Sequence, residues 1–407
     1  MRSFSFFSIF LLCLAIIVVD TLSFYWLEAI TAPVVSSTIK TIIDVLFWTF
    51  TVGLVTAILM LKIRMQAIPV SKRQKIITSL YGLTVSSFIP KILFVVIMSI
   101  LYYTNHIFSE TESLIIVPVV GLLAGFLPFF VIVYAVSKAV YKFKIYRVEV
   151  HHKALPENFE NLKIVHISDL HLGSFGNRYR ILNRAITLIN DLDADLILFT
   201  GDLVNNFAWE LRGWDSVLEK LSAKKGKYAI LGNHDYGDYS EWDNPEDKVR
   251  NFEAIKGFYK AIDFKLLLNE SITITKNDQK LAILGVENWG LPPFRQDGDL
   301  EKALEKVKDI PFKILLSHDP SHWDEEVLGQ TDIALTLSGH THGMQAGVKI
   351  MGKQWSPIKY KYKRWAGLYQ EKEQFLYVTR GLGWIGFPGR LGMRPEITFI
   401  ELKRNAD

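Results

Sequence analysis

Residues Lys163–Gly173 read KIVHISDLHLG, an apolar, β-branched run that stops abruptly in Asp169-Leu170-His171 and a glycine. Such a run is the pattern of a buried strand, here one that delivers polar groups at its C-terminal end. Side chains two apart on a strand point the same way, so Asp169 and His171 are expected to project together. A carboxylate and an imidazole so placed make half of a metal site.

Four further strand-like runs end in the same way. Leu196–Thr200 runs into Gly201-Asp202, and Tyr228–Leu231 into Gly232-Asn233-His234-Asp235. Ile314–Ser317 runs into His318-Asp319, and Ala334–Leu337 into Ser338-Gly339-His340-Thr341-His342-Gly343. In α/β sheets, ligands collect at the carboxyl ends of strands. Five ends carrying Asp, Asn or His therefore predict one site assembled from across a domain.

Around these ends, strand-like runs alternate with amphipathic stretches. Arg178–Leu192 carries apolar residues at helical spacing, and Leu211–Leu221 is also expected to be helical. Strands are expected at Leu162–Ser168, Asp195–Thr200, Lys227–Leu231, Lys280–Val286, Phe312–Leu316, Ile333–Leu337, Phe375–Thr379 and Glu396–Leu402. Alternation of this kind implies a layered α/β domain.

The first third of the 407-residue chain is different in kind. Four apolar runs, at about residues 4–26, 42–61, 76–103 and 114–137, have membrane-spanning length. Asp20 and Lys91 interrupt the first and third, so these residues either face a bundle interior or mark span ends. The first run is too long for a signal-peptide core and lacks a small-x-small cleavage site. We divide the chain into a four-helix transmembrane domain, 1–144, and a second domain, 145–407. Lys and Arg concentrate before the first span, between the second and third, and after the fourth. By the positive-inside rule, the chain is expected to be a multi-pass inner or plasma membrane protein, with both termini and the second domain cytoplasmic.

Charge divides along the same line. Residues 1–144 hold 11 of the 46 Lys and Arg and 5 of the 42 Asp and Glu, leaving 35 basic and 37 acidic residues beyond them. The second domain is thus near −2, which argues against a nuclease or other nucleic-acid partner that needs a basic surface. The single cysteine, Cys13, has no intrachain disulfide partner, and no thiolate metal site can form.

The ordered set Asp169-x-His171, Gly201-Asp202, Gly232-Asn233-His234-Asp235, His318 and Gly339-His340-x-His342 resembles the calcineurin-like metallophosphoesterase family over roughly residues 148–402. The resemblance implies a four-layer α-β-β-α sandwich with two metal ions at the strand ends. It implies that Asp169, His171 and His342 hold one ion, that Asn233, His318 and His340 hold the other, and that Asp202 bridges them. It further implies that His234 assists the leaving group and that Asp235 orients the His234 imidazole. Oxygen and imidazole donors suit Mn²⁺ first, with Fe and Zn²⁺ as alternatives. Two cations about 3.5–4 Å apart can share a water, make it hydroxide at neutral pH and promote its attack on phosphorus.

Two details narrow the subgroup. The purple acid phosphatase branch has a tyrosine where this chain has Asn205. The His-Thr-His block and the ending Thr379-Arg380-Gly381-Leu382-Gly383, with Arg390 and Arg394-Pro395-Glu396, instead resemble membrane-anchored or membrane-associated bacterial phosphoesterases that include lipid-related hydrolases. That group has Gly-Gly-Gln after the second His; this chain has Gly343-Met344-Gln345. Arg380, Arg390 and Arg394 are expected to bind substrate.

Between these blocks, Lys359, Lys361, Lys363 and Arg364 interleave with Trp355, Tyr360, Tyr362 and Trp365, and Trp384 and Phe387 follow. One reading is a membrane-facing rim that meets lipid phosphates; the other is a hairpin packed by its own aromatics. The expected activity is hydrolysis of a phosphoester or pyrophosphate, with a lipid or lipid precursor as candidate substrate and membrane lipid as partner. The alternatives are a sensor or scaffold that binds ligand without turnover, and a nuclease. The remaining histidines, among them His106, His151, His152, His166 and His322, are read as packing or surface residues.

Overall fold

A computed structural model describes residues 5–32, 34–104 and 110–405 of the chain; Arg2, Phe4 and His106 lie outside them. Two compact units are present. One holds the chain up to Ser137 together with Gly386–Gly389; the other holds Lys138–Ile385 and Arg390 onward.

The first unit contains four helices: α1 (Phe6–Thr31), α2 (Ser37–Arg64), α3 (Val70–Tyr103) and α4 (Glu110–Ser137). Each is long and apolar enough to cross a membrane and extends beyond the apolar run that announced it. Large apolar side chains such as Phe10, Leu46, Leu123 and Phe130 stay exposed, as a lipid-facing surface requires. Inside the bundle, Ile9, Cys13 and Ile16 pack on Leu54 and Ile58, and Trp26 packs on Phe94 and Met98. Asp20 and Lys91 turn inward rather than marking span ends. The Asp20 carboxylate is 2% exposed, lies 2.7 Å from the Lys91 ammonium, and accepts a hydrogen bond from the Thr51 hydroxyl. Each charge in this apolar setting is tolerable only through the other.

The second unit is built from two six-stranded mixed sheets. The first has the order β1 (Lys144–His151), β14 (Glu396–Lys403), β2 (Lys163–Ile167), β3 (Leu196–Phe199), β4 (Lys227–Ala229), β5 (Lys265–Leu266). The second has the order β12 (Gly367–Glu371), β13 (Gln374–Val378), β9 (Leu335–Ser338), β8 (Lys313–Leu316), β7 (Gln279–Gly285), β6 (Glu270–Lys276). A small hairpin pairs β10 (Val348–Ile350) with β11 (Lys353–Trp355).

Strand periodicity explains the layers. On β3, Leu196 and Leu198 face the core between the sheets, while Ile197 and Phe199 face the helix Tyr179–Asn190 through Leu182, Ala185, Ile186 and Ile189. On β7, Leu281 and Ile283 enter the same inter-sheet core, while Ala282 and Leu284 face an outer layer with Leu300, Ala303 and Trp323. Three apolar cores thus separate four layers, the α-β-β-α sandwich expected. The helix Pro245–Ala261 was not anticipated, although Asn244 caps it from a local signal, accepting from the Asp247 N–H at 2.9 Å ahead of Pro245. Leu211–Leu221 supplies only one short turn of α-helix, Asp215–Leu218, because Gly213 takes a left-handed backbone, φ 78°, and interrupts the run, although Leu211, Trp214, Val217, Leu218 and Leu221 are buried at helical spacing.

β2, β3 and β4 are parallel neighbours in one sheet, and β8 and β9 in the other. Their five carboxyl ends carry the blocks singled out in the sequence. At the opposite ends, buried Lys227 and Lys313 start β4 and β8 and donate to the carbonyls of Leu221 and Ile262, and of Lys308 and Ile310.

In the helical unit, Lys91→Met alone strands a buried carboxylate and is expected to destabilise by about 3–5 kcal/mol. Adding Asp20→Asn should recover most of that loss. Unfolding temperatures of the full-length protein in detergent check both; a double variant no better than the single one contradicts the pairing.

Candidate metal centre

The polar groups at the strand ends are crowded together. Gly339 follows β9 so closely that a Cβ there would lie 2.1 Å from the Ser168 hydroxyl and 2.3 Å from a carboxylate oxygen of Asp169. A Cβ on Gly232 would lie 2.2 Å from the Asp202 carboxylate and 2.7 Å from the His318 ring. Only glycine allows this approach. Asp169, His171, Asp202, His340 and His342 all have positive φ, between 46° and 68°. Non-glycine residues pay for that conformation, and it clusters at functional sites where surrounding structure enforces it. Met344 also holds a left-handed backbone, φ 54°, so the loop keeps this shape without the second glycine.

One group forms around Asp169, His171 and His342. Their donor atoms lie within 4.8 Å of one another, with His342 Nε2 3.1 Å from His171 Nε2 and 3.3 Å from Asp169 Oδ1. A second group joins Asp169, Asp202 and His318. The amide oxygen of Asn233 extends it, 3.1 Å from His318 Nε2 and 2.8 Å from His340 Nδ1. Asp202 Oδ2 stands between the two groups, 3.5 Å from His171 Nε2 and 3.3 Å from His318 Nε2. All seven residues expected from the sequence are thus brought together, and all but His340 are buried.

Hydrogen bonds decide which nitrogens can act as ligands. His171 Nδ1 lies 3.2 Å from the Val204 carbonyl and His318 Nδ1 2.6 Å from the Thr200 carbonyl. A carbonyl only accepts, so both Nδ1 atoms carry the proton and Nε2 is turned to the site. His340 presents Nδ1 to Asn233, while its Nε2 meets the Tyr362 hydroxyl at 2.8 Å; that hydroxyl is 3.2 Å from Asp319 Oδ2. His342 differs. Its Nδ1 accepts from the Arg390 guanidinium at 3.2 Å, which leaves the proton on Nε2; a cation there must displace it.

Electrostatics describe the same need. Burial opposes ionisation of Asp169 and Asp202, yet nearby imidazoles, His342 for the first and His318 for the second, hold both below the usual carboxylate range. His318 is the counterpart: burial would lower it, but the Asp202 carboxylate outweighs burial and raises it to about 10. Burial lowers His171 to about 3, leaving a neutral ring with a free lone pair. Two buried carboxylates drawing a proton onto a neighbouring ring is the arrangement that a bound cation replaces, and the O and N donors fit a pair of metal ions.

The groups around the ligands were less legible. The His234 imidazole stacks on Tyr239, with centroids 4.4 Å apart, and its Nδ1 donates to the Asn205 carbonyl at 2.7 Å. The orienting role expected of Asp235 passes to Asn205. Asp235 instead accepts from the backbone N–H groups of Asp202, Leu203, Val204 and Gly232, stapling two ligand loops. Buried Glu210 accepts from the N–H groups of Asn205, Asn206 and Phe207, and so fixes the carbonyl that holds His234. Glu210 and Tyr239 carried no mark in the sequence pattern, Asp319 stood out only as a strand-end residue, and Tyr362 only as one of the interleaved aromatics.

The three arginines do not serve as expected. Arg380 is buried, pairs with Glu396, bonds Gln354 and lies over the Tyr146 ring. Arg390, 1% exposed, spends its donors on the carbonyls of Arg380, Gly381, Gly383 and Met393 and on His342. Arg394 binds the carbonyls of Lys142 and Phe143. Arg390 is fully engaged with the protein, Arg380 keeps only its Nε without a partner among the described residues, and Arg394 is exposed beyond its two carbonyl bonds. The basic and aromatic segment divides as well. Tyr362, Arg364, Trp365 and Trp384 are buried, and Arg364 pairs with Asp324 and Glu371, while Tyr360 is 79% exposed.

The profile described as calcineurin-like phosphoesterase matches residues 162–344, and one described as probable calcineurin-like phosphoesterase, transmembrane domain, matches residues 1–140. A transmembrane protein with metallophosphoesterase domain from Danio rerio is 30% identical over 282 residues, covering 67% of this chain and 60% of that protein. The metallophosphoesterase YkuE of Bacillus subtilis (strain 168) is 34% identical over 254 residues, 61% of this chain and 82% of that protein. The phosphodiesterase YaeI of Escherichia coli (strain K12) is 28% identical over 248 residues, 60% and 84% respectively. The chain therefore spans only about 60% of the length of the Danio rerio relative.

Tyr362→Phe removes the hydroxyl between His340 and Asp319. It is expected to weaken metal retention about 10–100-fold, as losses of outer partners of ligating histidines do. Metal content after dialysis at graded free Mn²⁺ reads this, and retention equal to wild type contradicts it.

Proposed function

The chain belongs to the calcineurin-like phosphoesterase family, and from that membership we propose a membrane-anchored, two-metal phosphohydrolase that cuts a phosphoester or pyrophosphate bond of a lipid or lipid precursor. The observation that carries the proposal is the convergence of seven oxygen and nitrogen donors at five strand ends, in a chain that also carries four apolar helices.

Asp169, His171 and His342 would hold one ion and Asn233, His318 and His340 the other, with Asp202 placed to serve both. A donor set of carboxylate, imidazole and amide oxygen without thiolate suits Mn²⁺, with Fe and Zn²⁺ as alternatives. When bound, the ions supply positive charge to the phosphoryl oxygens and acidify an attacking water. The chain's own residues do the rest. His234, fixed through Nδ1 by the Asn205 carbonyl and through its face by Tyr239, uses Nε2 to protonate the departing oxygen. The His234 N–H donates to Asp202 Oδ1 at 2.9 Å, so the acid and the bridging carboxylate move as one piece. Asp235 and Glu210 keep the two supporting loops in register and act by positioning.

A substrate in the bilayer surface is supported by the pairing in one chain of an anchor, residues 1–144, with a catalytic domain, 145–407. Exposed Tyr360 and the neighbouring Lys359, Lys361 and Lys363 offer an aromatic and cationic strip for lipid phosphates. The Lys and Arg distribution supports an orientation with both termini and the catalytic domain on the cytoplasmic side.

Two measurements test this. Full-length protein stripped with chelator and reloaded with Mn²⁺ should hydrolyse bis-p-nitrophenyl phosphate or a short-chain lipid phosphate. Asp202→Asn should lower that rate roughly 100-fold or more. Full activity after chelation, or in the variant, overturns the two-metal reading. For orientation, a tag after residue 407 should resist protease in sealed right-side-out vesicles and be cut in inverted ones; the reverse pattern overturns the cytoplasmic assignment.

A further inference from the structure

Tyr239 follows the turn Asn233–Tyr236, which Gly237 closes with a left-handed backbone, φ 73°. Its backbone N–H donates to Asn206 Oδ1 at 3.0 Å, and its half-buried phenol lies back against the turn that precedes it. Two side chains of that turn meet this one tyrosine. Asn233 Nδ2 donates to the hydroxyl at 2.6 Å, and the His234 ring stacks on the phenol, with centroids 4.4 Å apart and 25° between the planes.

Asn233 needs such a partner. A primary amide presents oxygen or nitrogen according to a half-turn about χ2, a torsion with a broad, two-fold profile, and only the oxygen can ligate a cation. With Nδ2 held by the hydroxyl, Oδ1 is left facing His318 Nε2 and His340 Nδ1, at 3.1 and 2.8 Å. His234 has a matching need. The Asn205 carbonyl fixes its ring at Nδ1 alone, and a ring held at one atom can still swing about it. The stacked phenol limits that swing and gives Nε2 one direction.

Both holds share one footing. Buried Glu210 accepts from the N–H groups of Asn205 and Asn206, so the carbonyl that holds His234 and the amide that holds Tyr239 belong to one fixed loop. The Asn206 carbonyl is tied in turn to Asn251 Nδ2 at 3.0 Å. An aromatic side chain with a polar tip can stack and hydrogen-bond at once, which neither phenylalanine nor serine can do.

We propose, on the two-metal hydrolytic reading above, that Tyr239 is a positioning residue for both halves of the centre. Its hydroxyl turns the Asn233 oxygen toward the ion shared with His318 and His340. Its ring aims His234 Nε2, whose proton passes to the departing oxygen as the phosphorus–oxygen bond breaks. One side chain thus joins a metal ligand to the acid beside it in the chain.

Two variants of the full-length protein in detergent separate the contacts. Tyr239→Phe keeps the ring and loses the hydroxyl, so Mn²⁺ retention after dialysis at graded free Mn²⁺ should weaken about tenfold, as for a lost outer partner of a ligand. At saturating Mn²⁺ it should keep the wild-type ratio of rates on diphenyl phosphate and bis-p-nitrophenyl phosphate. Tyr239→Leu loses both contacts. Beyond the same metal loss, it should slow diphenyl phosphate about tenfold more than the nitrophenyl ester, whose leaving group departs without a proton. A merely structural role would slow both esters alike. Retention equal to wild type in both variants, or an unchanged ester ratio in Tyr239→Leu, overturns the proposal. A wild type that retains Mn²⁺ and cleaves neither ester refutes the hydrolytic reading instead, and retention by Tyr239→Phe then decides the role of the hydroxyl.

Discussion

Two carboxylates that are almost completely buried, Asp169 and Asp202, set the terms for everything at the strand ends. Removing such charges from water costs several kcal/mol each unless positive charge meets them. Imidazoles from both sheets close on them, and one of these, His318, is drawn toward a protonated state by Asp202. A pair of divalent ions answers the same demand more fully. The glycines at 232 and 339 and the left-handed backbone at five of the ligands follow from packing so many donors into so small a volume. Strain of about 1–3 kcal/mol at each such residue persists because the sheets on either side leave the loops no other path. The sandwich is thus the scaffold that makes a costly cluster affordable.

Much of this was visible in the sequence because it is local. A β-branched run followed by Asp-x-His, Gly-Asp or Asn-His-Asp is a strand with its polar cargo at one end, and five such ends imply neighbours in parallel sheets. The four apolar runs were visible for the same reason, since helix length and lipid compatibility are properties of a single segment. The four layers followed from period-two burial, as Leu196 and Leu198 against Ile197 and Phe199 show.

What stayed hidden is not local. Tyr362 reaches His340 across 22 residues and Asp319 across 43, in a segment whose basic and aromatic composition left open a membrane-facing rim or a self-packed hairpin and gave no sign of a contact with the metal centre. Arg380 and Arg390 looked like phosphate ligands because guanidinium groups near a metal motif usually suggest it. Burial decides otherwise: a guanidinium goes inside where protein acceptors take most of its donors, as carbonyls and His342 do for Arg390 and as Glu396 and Gln354 do for Arg380. Asp235 beside His234 in sequence suggested a contact between their side chains. The turn at Asn233–Tyr236 points Asp235 back at four backbone N–H groups, and a carbonyl 29 residues away takes the imidazole.

These corrections change how the site holds itself together. The expectation from the sequence was that Asp235 tunes its chain neighbour His234. The structure has instead two tiers of carboxylates. Asp169 and Asp202 face the donors, and behind them Asp235, Glu210 and Asp319 are spent on backbone N–H groups or on a tyrosine. An acid in the second tier acts on chemistry only through geometry, so its loss should blur positions rather than remove a reacting group. Helix α3 shows the same economy in the other unit, where Lys91 is balanced by Asp20. In both units buried charge is met by opposite charge within the chain, and at the strand ends the donors around Asp202 are a set that a pair of cations would complete.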